Sequence, residues 1–351
     1  MKNHIARIAV LAFVFVHFGC ADNSSSQQPV DDIPTYSDLS ELTDENYISV
    51  EQIEQMQNSD DATMDIEDQI ELMSKKDKIL IVGDSWASFP CVYNSMGKMI
   101  RDVDANLVED NRCLRTTKLG VAGFEWIGSK QDLRVIKFLK ETPRLKYIYL
   151  SMGGNDMMAV WNKDSTPEQE LEIYKSTAAT VKKIMDRYLE IRPDLKIILT
   201  GYDFPNFTPN HKIGLYRKIF ERMRSPTPER LNPALAGLCK YLSRLADGKN
   251  IFYIQHLGLS QYYDGNPEKG LAPLKTLAPD QISPMSDPTI IGGDIRLPSS
   301  KKSMINWLFL IRDAFHLNTR MYKKVMHHTY YNLLSHVIAA DDKTLSKNYQ
   351  N

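Results

Sequence analysis

The chain has 351 residues, of which 42% are hydrophobic and 25% are charged. This balance is typical of a globular protein, and the length allows one large α/β domain or two small domains. The formal net charge of −1 gives no basic footprint, so we expect no nucleic-acid partner.

The first twenty residues, MKNHIARIAVLAFVFVHFGC, have the pattern of an export signal. Basic residues precede an apolar run, 8–16, that is too short to span a bilayer. Gly19 then precedes Cys20, which resembles a bacterial lipoprotein signal, in which the cysteine is lipidated and becomes the new N-terminus. The two residues before Gly19 depart from that pattern, so a plain secretory signal or an uncleaved anchor stays open. We expect an extracytoplasmic protein: periplasmic, secreted, or an outer-membrane lipoprotein tethered to the membrane through Cys20.

The segment that follows is acidic. Residues 21–74 contain no Lys, Arg or His, while Asp, Glu, Ser and Gln abound. Such a segment repels itself and buries little apolar surface, which predicts a disordered tether over 21–75. We place the folded domain at 76–345.

Three cysteines remain in that domain if Cys20 carries lipid. Outside the cytoplasm, Cys91 and Cys113 could form a disulfide, which would join the segment after Ser85 to a neighbouring loop. The alternative is three buried free thiols, at Cys91, Cys113 and Cys239.

The domain begins with KILIVGDSWASFP at 78–90. The apolar run 79–82 predicts a strand buried on both faces. It ends at Gly-Asp-Ser, which either is an ordinary turn or presents Ser85 as a nucleophile at the carboxyl end of the strand.

Strands and helices then alternate along the chain. Thr166 as N-cap, Pro167 at the first position and Gln169 closing a capping box predict the start of one helix. Strand-to-helix alternation with apolar strands predicts a three-layer αβα sandwich around a central parallel sheet. The further predicted strands are 145–152, 195–204 and 250–259, and the further predicted helices lie around 212–224 and 231–246.

One long stretch, 258–300, interrupts the alternation with scattered Gly and Pro. Long loops in compact domains are commonly lids or binding walls. A solvated insertion is the equally open alternative.

Polar residues follow the strand ends, where ligands bind in an open α/β sheet. Ser85 follows the first strand, Asn155 follows 145–152, and Asp313 and His316 stand together near the C-terminus. A serine hydroxyl needs a base within hydrogen-bond reach, and the base needs a partner that fixes its tautomer. Asp313 and His316, three residues apart, could be presented from one loop or first helical turn. The amide of Asn155 and the backbone N–H groups of Ser85 and a glycine would stabilise a developing oxyanion.

Four short blocks in this order resemble the SGNH hydrolase superfamily, also called GDSL esterases/lipases. They are GDSW at 83–86, LGVAG at 119–123, GGND at 153–156 and DAFH at 313–316. The first block has Trp86 where the family usually has Leu, and Met321 stands where a glycine is frequent.

The resemblance covers about 77–340 and implies a flavodoxin-like sandwich. It makes Ser85 the nucleophile, His316 the base and Asp313 the residue that orients it. Gly123, with Gly120 as runner-up, and Asn155 would join the Ser85 amide in the oxyanion hole.

Other chemistries find less support in the sequence. Gly-x-Ser-x-Gly fails because Ala87 replaces the second glycine, and neither dinucleotide nor phosphate-loop motifs occur. We expect no cofactor and no metal, and a structural role for the adjacent His327 and His328. The sequence favours an exported serine esterase that acts on an acyl or acetyl ester of a lipid or glycan through an acyl-enzyme. An O-acyltransferase acting on a cell-surface glycan and a non-catalytic surface module remain the alternatives.

Overall fold

A computed structural model describes residues 76–104, 106–208, 214–274, 291–307 and 311–348. The predicted export signal, Cys20 and the predicted tether at 21–75 lie outside the described residues. The same is true of 275–290, within the long aperiodic stretch.

Five parallel strands form the central sheet, in the order β2-β1-β3-β4-β5. Two further strands, β6 and β7, pair antiparallel as a separate sheet. The strands are β1 (Asp77–Gly83), β2 (Leu107–Glu109), β3 (Leu145–Ser151), β4 (Lys196–Thr200), β5 (Ile251–Ile254), β6 (Met304–Trp307) and β7 (Ile311–Leu317).

Helices form the two outer layers. Helices α3, α4, α5 and α8 pack around α6, while α1, α2 and α10 pack on one another as a second group. The helices are α1 (Ser85–Val92), α2 (Ser95–Val103), α3 (Gly123–Trp126), α4 (Lys130–Glu141), α5 (Gly154–Val160), α6 (Pro167–Ile191), α7 (Gly214–Arg222), α8 (Pro228–Ser243), α9 (Leu259–Asp264), α10 (Thr319–Thr329) and α11 (Ser335–Asn348), with a π-helical turn at Tyr330–Leu334 between the last two. The prediction of a three-layer αβα sandwich is confirmed.

The strand order places a crevice beside β1. The chain leaves β1 towards β2 on one side and then returns to β3 on the other side, so the order reverses between β1 and β3. Ligands in open α/β sheets bind at such a switch point, outside the carboxyl ends of the strands. The residues that directly follow β1 and β3 are therefore the ones to examine for function.

Local sequence signals set several element boundaries. Thr166 caps α6 by accepting the Gln169 N–H, and the Gln169 side chain returns the bond to the Thr166 N–H, so the predicted capping box is confirmed. Helix α8 begins at Pro228, earlier than predicted, because Pro228 fits the first helical position after Thr227.

Two predicted strands are shorter in the structure, since the chain leaves the sheet after Thr200 and after Ile254. Asp313 and His316 were predicted on a loop or a first helical turn, and this was wrong: they lie on β7. In the described part of 258–300, Leu259 and Ile291 are buried, so these residues belong to the core. Among the described residues, none of the helices has the length and hydrophobicity needed to cross a bilayer.

Candidate active site

Ser85 is the first residue of α1, directly after the carboxyl end of β1. The side chain of Asp84 caps this helix by accepting the Trp86 N–H at 2.9 Å. Gly83 is required just before the cap, because its φ is +132° and a Cβ there would lie 1.9 Å from the carbonyl oxygen of Ser151. The Gly-Asp-Ser sequence thus lets the chain turn sharply against β3 and start a helix at Ser85.

His316 faces Ser85 although the two residues are far apart in sequence. Its Nε2 lies 2.8 Å from Ser85 Oγ, and its Nδ1 lies 2.9 Å from Asp313 Oδ2. All three side chains are buried. The arrangement lets Nε2 accept the serine proton while Asp313 holds the proton on Nδ1.

Asp313 is fixed by bonds to both of its oxygens. Oδ1 accepts the N–H groups of Phe315 and His316, and Oδ2 also accepts the hydroxyl of Tyr216 at 2.7 Å. Burial alone would raise the pKa of Asp313, but the neighbouring His316 and these hydrogen bonds outweigh it and lower the pKa. Asp313 therefore stays ionised as the hydrogen-bond acceptor of His316. Tyr216, on α7, is a contact that the sequence analysis did not identify.

Asn155 lies on α5, directly beyond the end of β3, and lines the same pocket as Ser85 and His316. The sheet order, Ser85 at the end of β1 and Asn155 at the end of β3 complete the arrangement that the four sequence blocks imply. The fold is a three-layer αβα sandwich, as the resemblance to the SGNH hydrolases implies.

Comparison with solved structures finds similar folds at low identity. A carbohydrate acetylesterase from Sinorhizobium meliloti is 11% identical, with coverage of 75% of this chain and 100% of that chain and a TM-score of 0.41. A family 3 carbohydrate esterase from Clostridium thermocellum is 12% identical, with coverage of 76% and 99% and a TM-score of 0.38. An acetylxylan esterase from Geobacillus stearothermophilus, a catalytic mutant, is 12% identical, with coverage of 73% and 94% and a TM-score of 0.39. No protein-family model and no curated protein matches the chain.

The predicted oxyanion donors differ in the hydrogen bonds that they already make. Asn155 Nδ2 donates to the carbonyl of Val121 at 2.9 Å, which fixes the orientation of its amide. The N–H of Gly123 donates to Asp156 Oδ2 at 2.7 Å, so that donor is engaged. Gly120, the runner-up, lies in a turn with φ of +66°. The oxyanion role of Gly123 stays a prediction that requires its N–H to leave Asp156.

A buried hydrogen-bond chain connects α1, which begins at Ser85, to α5, which carries Asn155. The Tyr202 hydroxyl donates to Asp84 Oδ2 at 2.7 Å and accepts the Gly154 N–H at 2.8 Å. Burial raises the pKa of Asp84 to about 7, while the bonds from Tyr202 and Trp86 act in the opposite direction. Tyr202 follows β4, where no sequence pattern marks it, so sequence reasoning missed it.

Beside the Ser85–His316 pair lies a pocket that is partly open to solvent and has a cavity volume of about 40 Å³. Its walls are mostly apolar. A cavity needs a volume of about 10–15 Å³, measured in the same way, to hold one water molecule. The pocket therefore holds only a few heavy atoms. Its apolar walls come from Met157, Met158, Pro205, Leu231, Leu235 and Phe315.

Proposed function

We propose that this protein is an exported serine esterase that hydrolyses a carboxylic ester through an acyl-enzyme on Ser85. The single observation that carries the proposal is the 2.8 Å contact between His316 Nε2 and Ser85 Oγ. A serine hydroxyl becomes an effective nucleophile when a positioned base takes its proton as it attacks. The ordered Asp313–His316–Ser85 chain of contacts argues against the alternative of a non-catalytic surface module.

In the first half of the reaction, His316 Nε2 takes the Ser85 proton while Oγ bonds to the ester carbonyl carbon. Asp313 holds the Nδ1 proton and stabilises the imidazolium that forms. The tetrahedral intermediate collapses when His316 gives the proton to the leaving alcohol oxygen. Water, activated by the same imidazole, then attacks the acyl-enzyme and releases the acid.

The oxyanion is stabilised by donors at two helix starts. The N–H of Ser85 is at the first position of α1, where a helix has no internal acceptor for it. Asn155 Nδ2 carries two protons, so one bond to Val121 leaves the second for the oxyanion. Gly123 becomes a third donor if its N–H is released from Asp156.

The substrate proposed is an acyl or acetyl ester of a lipid or glycan outside the cytoplasm. The small apolar pocket beside Ser85 accommodates the acyl group, and the alcohol portion extends away from it. Export by the predicted signal would bring the enzyme to such substrates, and a lipidated Cys20 would hold it at a membrane.

The test is hydrolysis of p-nitrophenyl esters by the full chain and by Ser85→Ala. Because residues of a triad act as a unit, we expect the variant to lose several orders of magnitude in kcat. Ser95→Ala is the matched control, since Ser95 is equally buried on α2 but remote from the pocket. Undiminished turnover by Ser85→Ala would refute the proposal. Added oligosaccharide that diverts the acyl group from free acid to a new ester would replace it with acyl transfer.

A further inference from the structure

Two of the three cysteines in the domain lie close together, near the end of the helix that begins at Ser85. Cys91 belongs to α1, the helix that begins at Ser85, and Cys113 begins a 3₁₀ turn, Cys113–Arg115. Both side chains are buried free thiols. Their Sγ atoms and a carboxylate oxygen of Glu109 all lie within 4.8 Å of one another.

We propose that Cys91 and Cys113 are a disulfide-forming pair that fastens the nucleophile helix to the turn beside β1. The reaction is thiol–disulfide exchange with a disulfide oxidant of the compartment, such as a glutathione disulfide or an oxidoreductase. One cysteine thiolate attacks the oxidant and releases one thiolate, and the second cysteine thiolate displaces the other. Two cysteine protons pass to solvent or to the released thiolates, and the oxidant is reduced to two thiols.

The contacts of Cys113 support a link to its nearest thiol. The Cys113 thiol is hydrogen-bonded to both Cys91 and Glu109. Burial and this crowding raise the pKa of Cys113, and burial raises the pKa of Cys91 to about 11. In the folded chain the pair therefore consists of neutral, buried thiols that react slowly with an oxidant. We expect the thiolates to react while the chain folds and the thiols are still exposed, and the fold then to hold the two sulfur atoms together.

The same three side chains fit a metal less well. Structural zinc sites take four ligands, almost always cysteine and histidine. Within the described part of the chain, the cluster contains three candidate ligands. One of them, the Glu109 carboxylate, already accepts the N–H of Gly97.

The position of the pair indicates what the disulfide would hold in place. The turn at Cys113 is already bonded to β1, because the Thr116 hydroxyl donates to the carbonyls of Ile81 and Cys113 at 2.6 and 2.8 Å. The N–H of Gly83 donates to the Thr116 carbonyl at 3.2 Å. A Cys91–Cys113 bond would therefore anchor the far end of α1 to the segment that supports the strand leading to Ser85.

The test compares the full chain in reduced and in oxidised glutathione, with a parallel sample refolded in the same mixtures. Unfolding in N-ethylmaleimide followed by peptide mass analysis reports every free thiol. We expect oxidation to protect Cys91 and Cys113 as one linked peptide pair, two hydrogens lighter, while Cys239 is alkylated. Cys239 is the internal control, since it is also buried but lies on α8.

The melting temperature and the variants Cys91→Ser and Glu109→Gln test the same link independently. We expect reduction to lower the melting temperature by roughly 5 to 10 °C, and Cys91→Ser to abolish both the link and this difference. Glu109→Gln should keep the link, since glutamate takes no part in the bond.

Alkylation of both Cys91 and Cys113 in the oxidised and refolded samples would overturn the proposal. Stoichiometric zinc that protects the thiols and is lost in Glu109→Gln would overturn it in favour of a metal site. Neither outcome depends on esterase activity, so the proposal is tested separately from the proposed function.

Discussion

The hydroxyl of Tyr202 donates to Asp84 Oδ2 at 2.7 Å, 118 positions away in the chain. Asp84 caps the helix that starts with Ser85, and the same hydroxyl accepts the N–H of Gly154 next to Asn155. One phenol oxygen thus joins the segment that carries the proposed nucleophile to the segment that carries the proposed oxyanion donor. A change at Tyr202 is therefore expected to alter both.

Tyr202→Phe should lower kcat more than it changes KM, because the ring still fills its place while the two helix starts lose their link. It leaves the buried Gly154 N–H unpaired, which costs about 1–3 kcal/mol of the free energy of unfolding. Denaturant unfolding and steady-state kinetics on a p-nitrophenyl ester measure both effects.

Tyr253→Phe is the control for Tyr202→Phe. Tyr253 is also buried, on β5, and its hydroxyl lies beside the weakly polar thiol of Cys239, outside the hydrogen bonds that join Asp84, Tyr202 and Gly154. Equal losses of kcat in both variants would show that Tyr202 has no special role in the site.

Asn155→Ala should lower kcat by about 10²- to 10³-fold, which is the usual effect of removing one oxyanion donor. KM should change little, because the oxyanion exists only in the transition state. Asn162→Ala is the control for amide loss, since Asn162 lies after α5 and away from the pocket. A loss confined to KM would contradict the assigned role.

The pocket should limit the length of the acyl chain. With a cavity volume of about 40 Å³, acetyl to butyryl esters should be the best substrates, and kcat/KM should fall for longer chains. Leu235→Ala should enlarge the pocket and move the optimum to longer esters.

Leu139→Ala is the matched control for Leu235→Ala, because Leu139 is buried on α4, outside the pocket wall, and its truncation costs a similar amount of stability. A chain-length profile unchanged by Leu235→Ala but shifted by Leu139→Ala would contradict this placement of the acyl group.

Two buried histidines should make the fold sensitive to acid. Burial lowers the pKa of His256 to about 3 and that of His328 to about 4, while an unfolded histidine titrates near 6.5. The unfolded chain therefore binds protons first, and stability from each neutral imidazole falls as pH drops from about 6.5 towards 4. For His328, the free energy of unfolding should fall by about 2 kcal/mol between pH 7 and pH 5.

Buried carboxyl groups act in the opposite direction. Burial raises the pKa of Asp84 and Glu109 to about 7 and that of Asp203 to about 6. As pH falls, these groups bind protons in the folded state before they do so in the unfolded state. Their contribution to the free energy of unfolding therefore increases between pH 7 and pH 5. The histidine effect is therefore measured as a difference: His328→Gln should lose about 2 kcal/mol less than the unmodified protein between pH 7 and pH 5. Equal losses would contradict a neutral, buried His328.

His328 also shows what the sequence pattern could establish about the helices. Adjacent residues on a helix point in different directions, and a structural role was expected for both His327 and His328. In the structure, His327 Nε2 lies 3.2 Å from Asp102 Oδ2, whereas His328 is buried and its Nδ1 is hydrogen-bonded to Asn332 Nδ2.

Local signals predicted much of the fold because their causes are local. The apolar run of β1 and the Thr166 capping box depend on neighbouring residues alone. The ends of β4 and β5 were misplaced because the apolar residues after Thr200 and Ile254 remain buried without belonging to the sheet. Burial predicts an apolar residue but does not distinguish strand from packed loop.

The site divides in the same way. Four candidate site residues belong to short sequence blocks and were predicted from them: Ser85, Asn155, Asp313 and His316. Tyr216 is a single aromatic residue 97 positions from Asp313, and the Gly123–Asp156 contact joins residues 33 apart. Such long-range contacts leave no periodic or motif signal in one sequence.

The most direct test of the account is labelling of the folded full chain with an activated phosphonate, read by intact and peptide mass. The 2.8 Å Ser85–His316 contact predicts one covalent adduct, located on Ser85, with labelling strongly slowed in His316→Ala. No adduct on a chain shown to be folded, or an adduct on another residue, would contradict the claim that Ser85 is the nucleophile.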